Sequence, residues 1–236
     1  MAERPIFIPK PDKDNLVDEV FLQLVWHPGF AVVQKEKNIK ALHEAAESAG
    51  YKGILEVSTK SANKRGRHLS AFHMEVKTER FGAIRLECAF QGSKVFERGG
   101  PFVDLYKGEA KDAKRDPRLR ESGALVAFEF DGVRWPLEPK TAFYDWLYAR
   151  SVYPHRKWAK ALYAYGGFSD IEFNPFRSIN CQARSIALFL SLMKRKELDD
   201  ALQSPASFLN ALKQSSYRPQ LRSGDFVAKE LFADEP

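Results

Sequence analysis

Val126-Ala-Phe-Glu-Phe130 and Val133-Arg-Trp135, joined by Asp131-Gly132, form the stretch from which the fold is read. Two apolar runs separated by a dipeptide of the Asp-Gly type make a tight antiparallel hairpin. Upstream of it, strand patterns dominate. Val20, Leu22, Leu24 and Trp26 alternate with period two, and residues 30–33 make a second short β run after the Pro28-Gly29 turn. Residues 54–59 and 69–76 read as further strands, with another around Ile84 and Leu86. One helix interrupts them, with Asn38 as its N-cap, Ile39, Leu42, Ala46 and Ala49 at helical spacing, and Gly50 as its stop. Downstream of the hairpin, residues 140–150, 155–165, 181–194 and 205–213 all carry helical apolar spacing. A strand-rich N-terminal half followed by a helix-rich C-terminal half is the order of an α+β protein. Without internal repeats or low-complexity segments, residues 1–236 read as a single compact domain with short flexible N- and C-terminal extensions.

Composition agrees with a folded chain. Of 236 residues, 44% are hydrophobic and 29% charged, which excludes a wholly disordered or fibrous protein. The longest apolar stretch, Ser185-Ile-Ala-Leu-Phe-Leu-Ser-Leu-Met193, is far short of the roughly 20 residues that span a bilayer, so no membrane partner is expected. Two prolines and several charges break up the first ten residues where a signal peptide needs a continuous apolar region, and export is not expected. Cys88 and Cys181 are too few for a disulfide framework, and a reducing cytoplasm is the natural setting. The cysteines have no CxxC spacing and the five histidines no HxxxH spacing, so neither a metal nor another cofactor is called for. Thirty-seven Lys and Arg against 31 Asp and Glu leave a formal charge of +6, a mild pull towards phosphates.

The chemistry concentrates in Glu87-Cys-Ala-Phe-Gln-Gly-Ser-Lys94. Read as part of a helix over residues 87–97, it places Glu87, Gln91 and Lys94 on one face. A carboxylate, an amide and an amine beside Phe90 can act on a polar substrate; the same spacing also describes a solvated surface stripe. Lys35, at the end of the 30–33 run, either projects into a cleft or is a plain surface lysine. Asp170 and Glu172 either face substrate or cap the loop before the helix starting near Asn180. Asn180 can bind a base or a phosphate, or cap that helix. Gly99-Gly100 lets backbone approach a pyrophosphate, or simply ends a helix. Two basic clusters, residues 60–68 and 111–120, can follow a nucleic-acid backbone, with Phe72 or Trp135 stacking on a base; otherwise they are solvated charge and core.

The Glu-x-x-Phe-Gln-x-x-Lys pattern of residues 87–94 resembles the central motif of the NADAR superfamily, which includes the YbiA-like proteins. Glu56-Val-Ser58, Leu69-Ser-Ala-Phe72, Phe168-Ser-Asp-Ile-Glu-Phe-Asn174 and Ser178-Ile-Asn180 follow the family's order. Cys88 and Ala71 stand where the broad superfamily often has His and Asn, and its Trp-Gly element is missing, which sets the chain apart from the small-metabolite branch. The sequence is most similar to the DarT-associated NADAR antitoxins, from Phe30-Ala-Val-Val-Gln-Lys35 through Phe96-Glu-Arg-Gly-Gly-Pro101 to Ser178-Ile-Asn-Cys-Gln-Ala-Arg184.

That resemblance implies a NADAR-like fold and an enzyme that hydrolyses the N-glycosidic bond between ADP-ribose and guanine in DNA, reversing a DarT-like ADP-ribosyltransferase toxin. Its expected catalytic residues are Lys35, Glu87, Lys94 and Asp170. ADP-ribose is expected on Ser58, Ser70, Phe72, Gln91, Gly99, Gly100 and Asn180, and DNA on Lys64, Arg65 and Arg67. The alternatives are an N-glycosidase acting on a free nucleotide metabolite and a non-catalytic ADP-ribose-binding antitoxin. Two routes stay open for the cleavage: a carboxylate, Glu87 or Asp170, stabilising an oxocarbenium-like state, or a neutral amine, Lys94 or Lys35, attacking the anomeric carbon.

Overall fold

The structure, a computed structural model, describes residues 1–216. In chain order it contains β1 (Ala2–Lys10), β2 (Leu16–Leu24), α1 (Val32–Ser48), β3 (Ile54–Glu56), α2 (Lys64–His68), β4 (Glu75–Thr78) and β5 (Gly82–Arg85). There follow α3 (Leu86–Gly92), β6 (Lys94–Phe96), α4 (Ala110–Arg115), α5 (Arg118–Glu121), β7 (Leu125–Phe130), β8 (Val133–Trp135), α6 (Ala142–Val152), α7 (Arg156–Ala159), β9 (Gly167–Ser169), α8 (Gln182–Arg195), α9 (Leu198–Ala201) and α10 (Pro205–Gln214). Mixed sheets and many helices make this an α+β protein.

The main sheet has the order β2-β1-β9-β3, antiparallel except for the parallel pair β3 and β9. Alternation along β1 divides the core between its two faces. Ile6 and Ile8 join Leu22, Leu24, Leu42 and Ala46 under α1. Phe7 enters the larger cluster, which contains the apolar faces of α6 and α8. Ser191 of α8 fastens the β1–β2 turn, donating to the carbonyl of Leu16 at 2.6 Å and accepting the amide of Lys10 at 3.0 Å. Residues 2–10, expected to belong to a flexible extension, are thus an inner strand. The expected C-terminal extension lies outside the described residues.

The hairpin forms as its dipeptide demands. Asp131 and Gly132 have φ of 52° and 78°, the left-handed pair of a two-residue turn, and Phe130 pairs with Val133. Its inner face meets α3 and α6 in an aromatic cluster in which the Phe128 and Phe143 rings lie 4.6 Å apart. Phe90 and Tyr144 meet edge to face at 5.1 Å, which fixes the wall on which the chemistry sits.

Four local readings are corrected. Residues 30–33 are not a strand, because α1 already begins at Val32, and Val32 and Val33 are exposed rather than paired. Asn38 is not the N-cap; it is buried within α1, and its amide holds both the N–H and the C=O of His27. Most of residues 69–76 is a turn, with β4 starting only at Glu75. The helix expected over residues 87–97 stops at Gly92, and Lys94 opens β6. Among the described residues, no helix is long and apolar enough to cross a membrane.

Gly100, with φ of 88°, passes so close to β6 that a Cβ there would lie 2.2 Å from the carbonyl oxygen of Lys94. Gly50 has φ of 89° and open space around it. Gly50→Ala should therefore lose only the left-handed strain of about 1–2 kcal/mol, whereas Gly100→Ala should lose about 1–3 kcal/mol more through overlap. Thermal denaturation reads this difference as about 2–4 °C per kcal/mol for a chain of this size; equal melting temperatures would mean that the approach to Lys94 costs nothing.

Candidate active site

Where α3 runs into β6, the main-chain turn at Ser93 keeps a lysine beside the helix that precedes it. Ser93 is fully buried, with its hydroxyl donating to Ala89 O at 2.6 Å and 3.0 Å from the Tyr106 hydroxyl. The Lys94 Nζ donates to Gln91 Oε1 at 2.6 Å, and the Gln91 Nε2 donates to Glu87 Oε1 at 2.8 Å. The Lys94 ammonium lies 5.0 Å from the Phe90 ring centroid. Glu87, Gln91 and Lys94 are all under a tenth exposed, which removes the solvated-stripe reading. They converge as expected, although Lys94 does so from a strand.

These three side chains line a cleft of about 340 Å³. Asp170 faces the same space from the segment after β9, accepting the Glu172 amide at 3.1 Å and a hydrogen bond from the Gln182 side chain. Gln182 is itself oriented, because its Oε1 accepts the Ala71 amide at 2.8 Å. Burial first, then repulsion from Glu56 and Glu172, holds the Asp170 carboxyl well above the usual carboxylate range. Tyr144 also lines the cleft, and burial raises its phenol well above the ordinary value.

The remaining expected residues divide. Phe72 and Asn180 line the cleft, and the buried Asn180 Oδ1 has no hydrogen-bond partner among the described residues, leaving an acceptor ready for a ligand N–H. Cys181, not Asn180, is the N-cap of α8. Lys35 is not at a strand end; it sits in the first turn of α1 and reaches the cleft's edge through an ion pair with Glu172 at 3.5 Å. Ser58 and Ser70 are buried outside the lining: the Ser70 hydroxyl accepts the Phe72 amide at 3.4 Å, and Ser58 supports Glu56. Gly99 and Gly100 are likewise outside it, and Gly100 serves the passage beside Lys94.

The first basic cluster is not a loop at the cleft. Lys64, Arg65 and Arg67 belong to α2, where Arg67 donates to the carbonyls of Ser61 and Ala62 at 2.7 and 2.8 Å and Arg65 reaches the Tyr165 hydroxyl at 3.5 Å. The cations that line the cleft besides Lys94 are Lys114 and Arg120, from the second cluster, and Lys140. Sequence reading missed Lys140 and Tyr144, which lie in an apolar helical pattern and its approach with no local mark of function. Among the described residues, no group of three or more His, Cys, Asp or Glu side chains could hold a metal ion.

The elevated Asp170 pKa has a measurable sign. Its penalty to folding is absent below the ordinary value of about 3.9, grows as pH rises towards the folded value, and is full above it. Asp170→Asn removes a group that must ionise in a buried place, so its stability relative to the parent should rise as pH climbs above about 4 in chemical denaturation. A difference independent of pH would put the Asp170 carboxyl at its ordinary value.

No curated protein sequence matches the chain. A family model does: that of the DarT1-associated NADAR antitoxin, over residues 2–221, which takes in β1, the Glu87–Gln91–Lys94 chain, Asp170 and Asn180. A match over nearly the whole length, spanning both walls of the cleft, makes the chain a member of the DarT1-associated NADAR antitoxin family.

Proposed function

We propose that this protein hydrolyses the N-glycosidic bond that joins ADP-ribose to guanine in DNA, and so reverses a DarT-like toxin. The observation that carries the reading is the presence in one cleft of a buried acid, Asp170, whose carboxyl is pushed well above the usual range, together with the buried Lys94 amine and Glu87 carboxylate. Breaking such a bond needs a proton for the departing base and stabilisation of positive charge at the anomeric carbon. Asp170 supplies the proton. Glu87 stabilises the oxocarbenium-like charge and, through Gln91, aims Lys94. Lys94 first releases one ammonium proton to the solvent in the cleft and as the neutral amine attacks the anomeric carbon. Guanine leaves with the Asp170 proton, and water hydrolyses the Schiff base of the opened ribose, after which the freed amine takes its proton back from solvent. Lys35, outside the lining and paired with Glu172, acts at the rim.

The family description supports an antitoxin role opposite DarT1. The cleft's charge supports a phosphorylated substrate, since Lys114, Arg120 and Lys140 join Lys94 in its lining. Phe72 offers a flat partner for adenine or guanine, and Asn180 Oδ1 an acceptor for a base N–H.

The test is release of ADP-ribose from an oligonucleotide carrying ADP-ribosylated guanine, compared with hydrolysis of free nucleotide N-glycosides. Borohydride added during turnover should trap an ADP-ribose adduct on Lys94. Lys94→Arg keeps the charge but not a dissociable proton, and should abolish turnover while free ADP-ribose still binds. Glu87→Gln should slow cleavage by at least about 100-fold. Retained turnover in Lys94→Arg would reject the covalent route and leave the carboxylates to act alone; neutralisation of the toxin by a Lys94→Arg, Glu87→Gln double variant would make the protein a binding module.

Salt separates the two basic clusters. Affinity for the modified oligonucleotide should fall steeply with ionic strength. Lys114→Ala, Arg120→Ala and Lys140→Ala should each reduce the slope of log affinity against log salt by roughly 0.7–0.9 for every phosphate that the side chain neutralises in the parent protein. Substituting Lys64, Arg65 and Arg67 should leave that slope unchanged. The reverse pattern would move the nucleic-acid path to α2.

A further inference from the structure

Behind Asp170, a chain of polar groups runs from the interior towards the surface. Glu56 ends β3 at 3% exposure; its Oε1 accepts the Ile171 amide at 2.9 Å and its Oε2 the Ser169 hydroxyl at 2.6 Å. Ser169 Oγ, wholly buried, is also 2.9 Å from Nε2 of His43, a half-buried residue of α1. A hydroxyl has one proton. While Ser169 gives it to the Glu56 carboxylate, the His43 Nε2–H donates to Ser169; when Glu56 is protonated the whole chain reverses, and Ser169 donates to an Nε2 lone pair. Passing from one arrangement to the other moves one proton between imidazole and carboxyl with no atom travelling far.

We infer that His43, Ser169 and Glu56 form a proton relay that sets the protonation of Asp170 from the surface of α1. Asp170 directly follows Ser169, and the Glu56 and Asp170 carboxyls repel one another when both are charged. The other groups facing this pair are Glu172, which adds like charge to both; the Ser58 hydroxyl, which bonds Glu56; and the Tyr144, Tyr148 and Cys181 side chains, which stay neutral near Asp170. Lys35 faces them only through Glu172. Burial favours neutral His43.

The inference rests on the proposed release of guanine and supplies its proton balance. Asp170 gives its proton to the departing base and becomes an anion beside anionic Glu56. Glu56 then takes the Ser169 proton, Ser169 takes the Nε2 proton of His43, and the His43 ring takes one from solvent. When water adds to the sugar, the proton it sheds returns to Asp170, Glu56 gives its proton back through Ser169, and His43 returns one to solvent. His43, Ser169 and Glu56 are therefore positioning residues that act through Asp170.

The test uses the full chain and three substitutions. His43→Ala and Ser169→Ala should each lower kcat by about 10- to 100-fold, less than loss of the acid itself, with KM unchanged. Added imidazole should restore His43→Ala and leave the His43→Ala, Ser169→Ala double variant unrestored. Glu56→Gln removes the repulsion and should shift the basic limb of the kcat profile to lower pH. Restoration of both variants, absence of any restoration, or an unmoved limb would overturn the relay. A readout independent of turnover is the 15N titration of His43 in the resting protein: Glu56→Gln should lower its pKa, and an unchanged value would overturn the relay. A parent protein inactive on modified DNA that still shows this coupling would reject the proposed reaction and leave the relay standing.

Discussion

An ammonium group at 3% exposure is the constraint around which one wall of the cleft is built. A buried charge without partners costs many kcal/mol, so Lys94 must be met by oxygen. Gln91 meets it, and an amide can do so reliably only if its own orientation is set. Glu87 sets it by accepting from the NH2 end, which leaves the carbonyl end for Lys94. The rest of the wall follows from this need. Helix α3 has to end at Gly92 so that the chain doubles back, Ser93 has to anchor the turn to Ala89 and Tyr106, and residue 100 has to lack a side chain so that the returning backbone clears the Lys94 carbonyl.

The facing wall solves the opposite problem. The Asp170 carboxyl is pushed well above the usual carboxylate range by burial and by the company of other acids, and it is oriented by the Glu172 amide and Gln182. Arg184 secures the segment that carries this wall. Its guanidinium is 1% exposed, pairs with Glu19 of β2 at 2.7 Å, donates to the Ile179 carbonyl, and lies 5.3 and 5.7 Å from the Phe7 and Phe173 rings. One side chain thereby ties the sheet, α8 and the loop bearing Asn180 together. A fork of fixed donors between two aromatic faces is a task for arginine, and lysine could not perform it.

What the sequence makes legible is local. The Asp131-Gly132 hairpin depends on two adjacent dihedral angles, and α8 and α10 on apolar periodicity, so both appear where the pattern puts them. Glu87, Gln91 and Lys94 stand out by a spacing that the backbone realises differently: a helix would put residue 94 near residues 87 and 91, and a one-residue turn into a strand does so too. What is illegible depends on distant partners. Nothing in residues 2–10 announces an inner strand, because its neighbours come from residues 16–24 and 167–169. Val32 and Val33 resemble a strand only until tertiary structure leaves them no partner strand. Arg67 reads as a phosphate ligand, yet the carbonyls of its own helix entry take it first.

The same constraints bring charges of both signs to one cleft. Lys114 and Arg120 come from α4 and α5, and Glu138 and Lys140 from the approach to α6, whereas Asp170 and Glu172 come from the segment after β9. The cations attract phosphates to the cleft, while the acids around Asp170 strengthen its hold on a proton. Attraction of the ligand and retention of the proton for its leaving group therefore make opposite demands on the charge next to Asp170, and a substitution that placed a further cation there would serve the first and damage the second: it stabilises the carboxylate and releases the proton before any base departs.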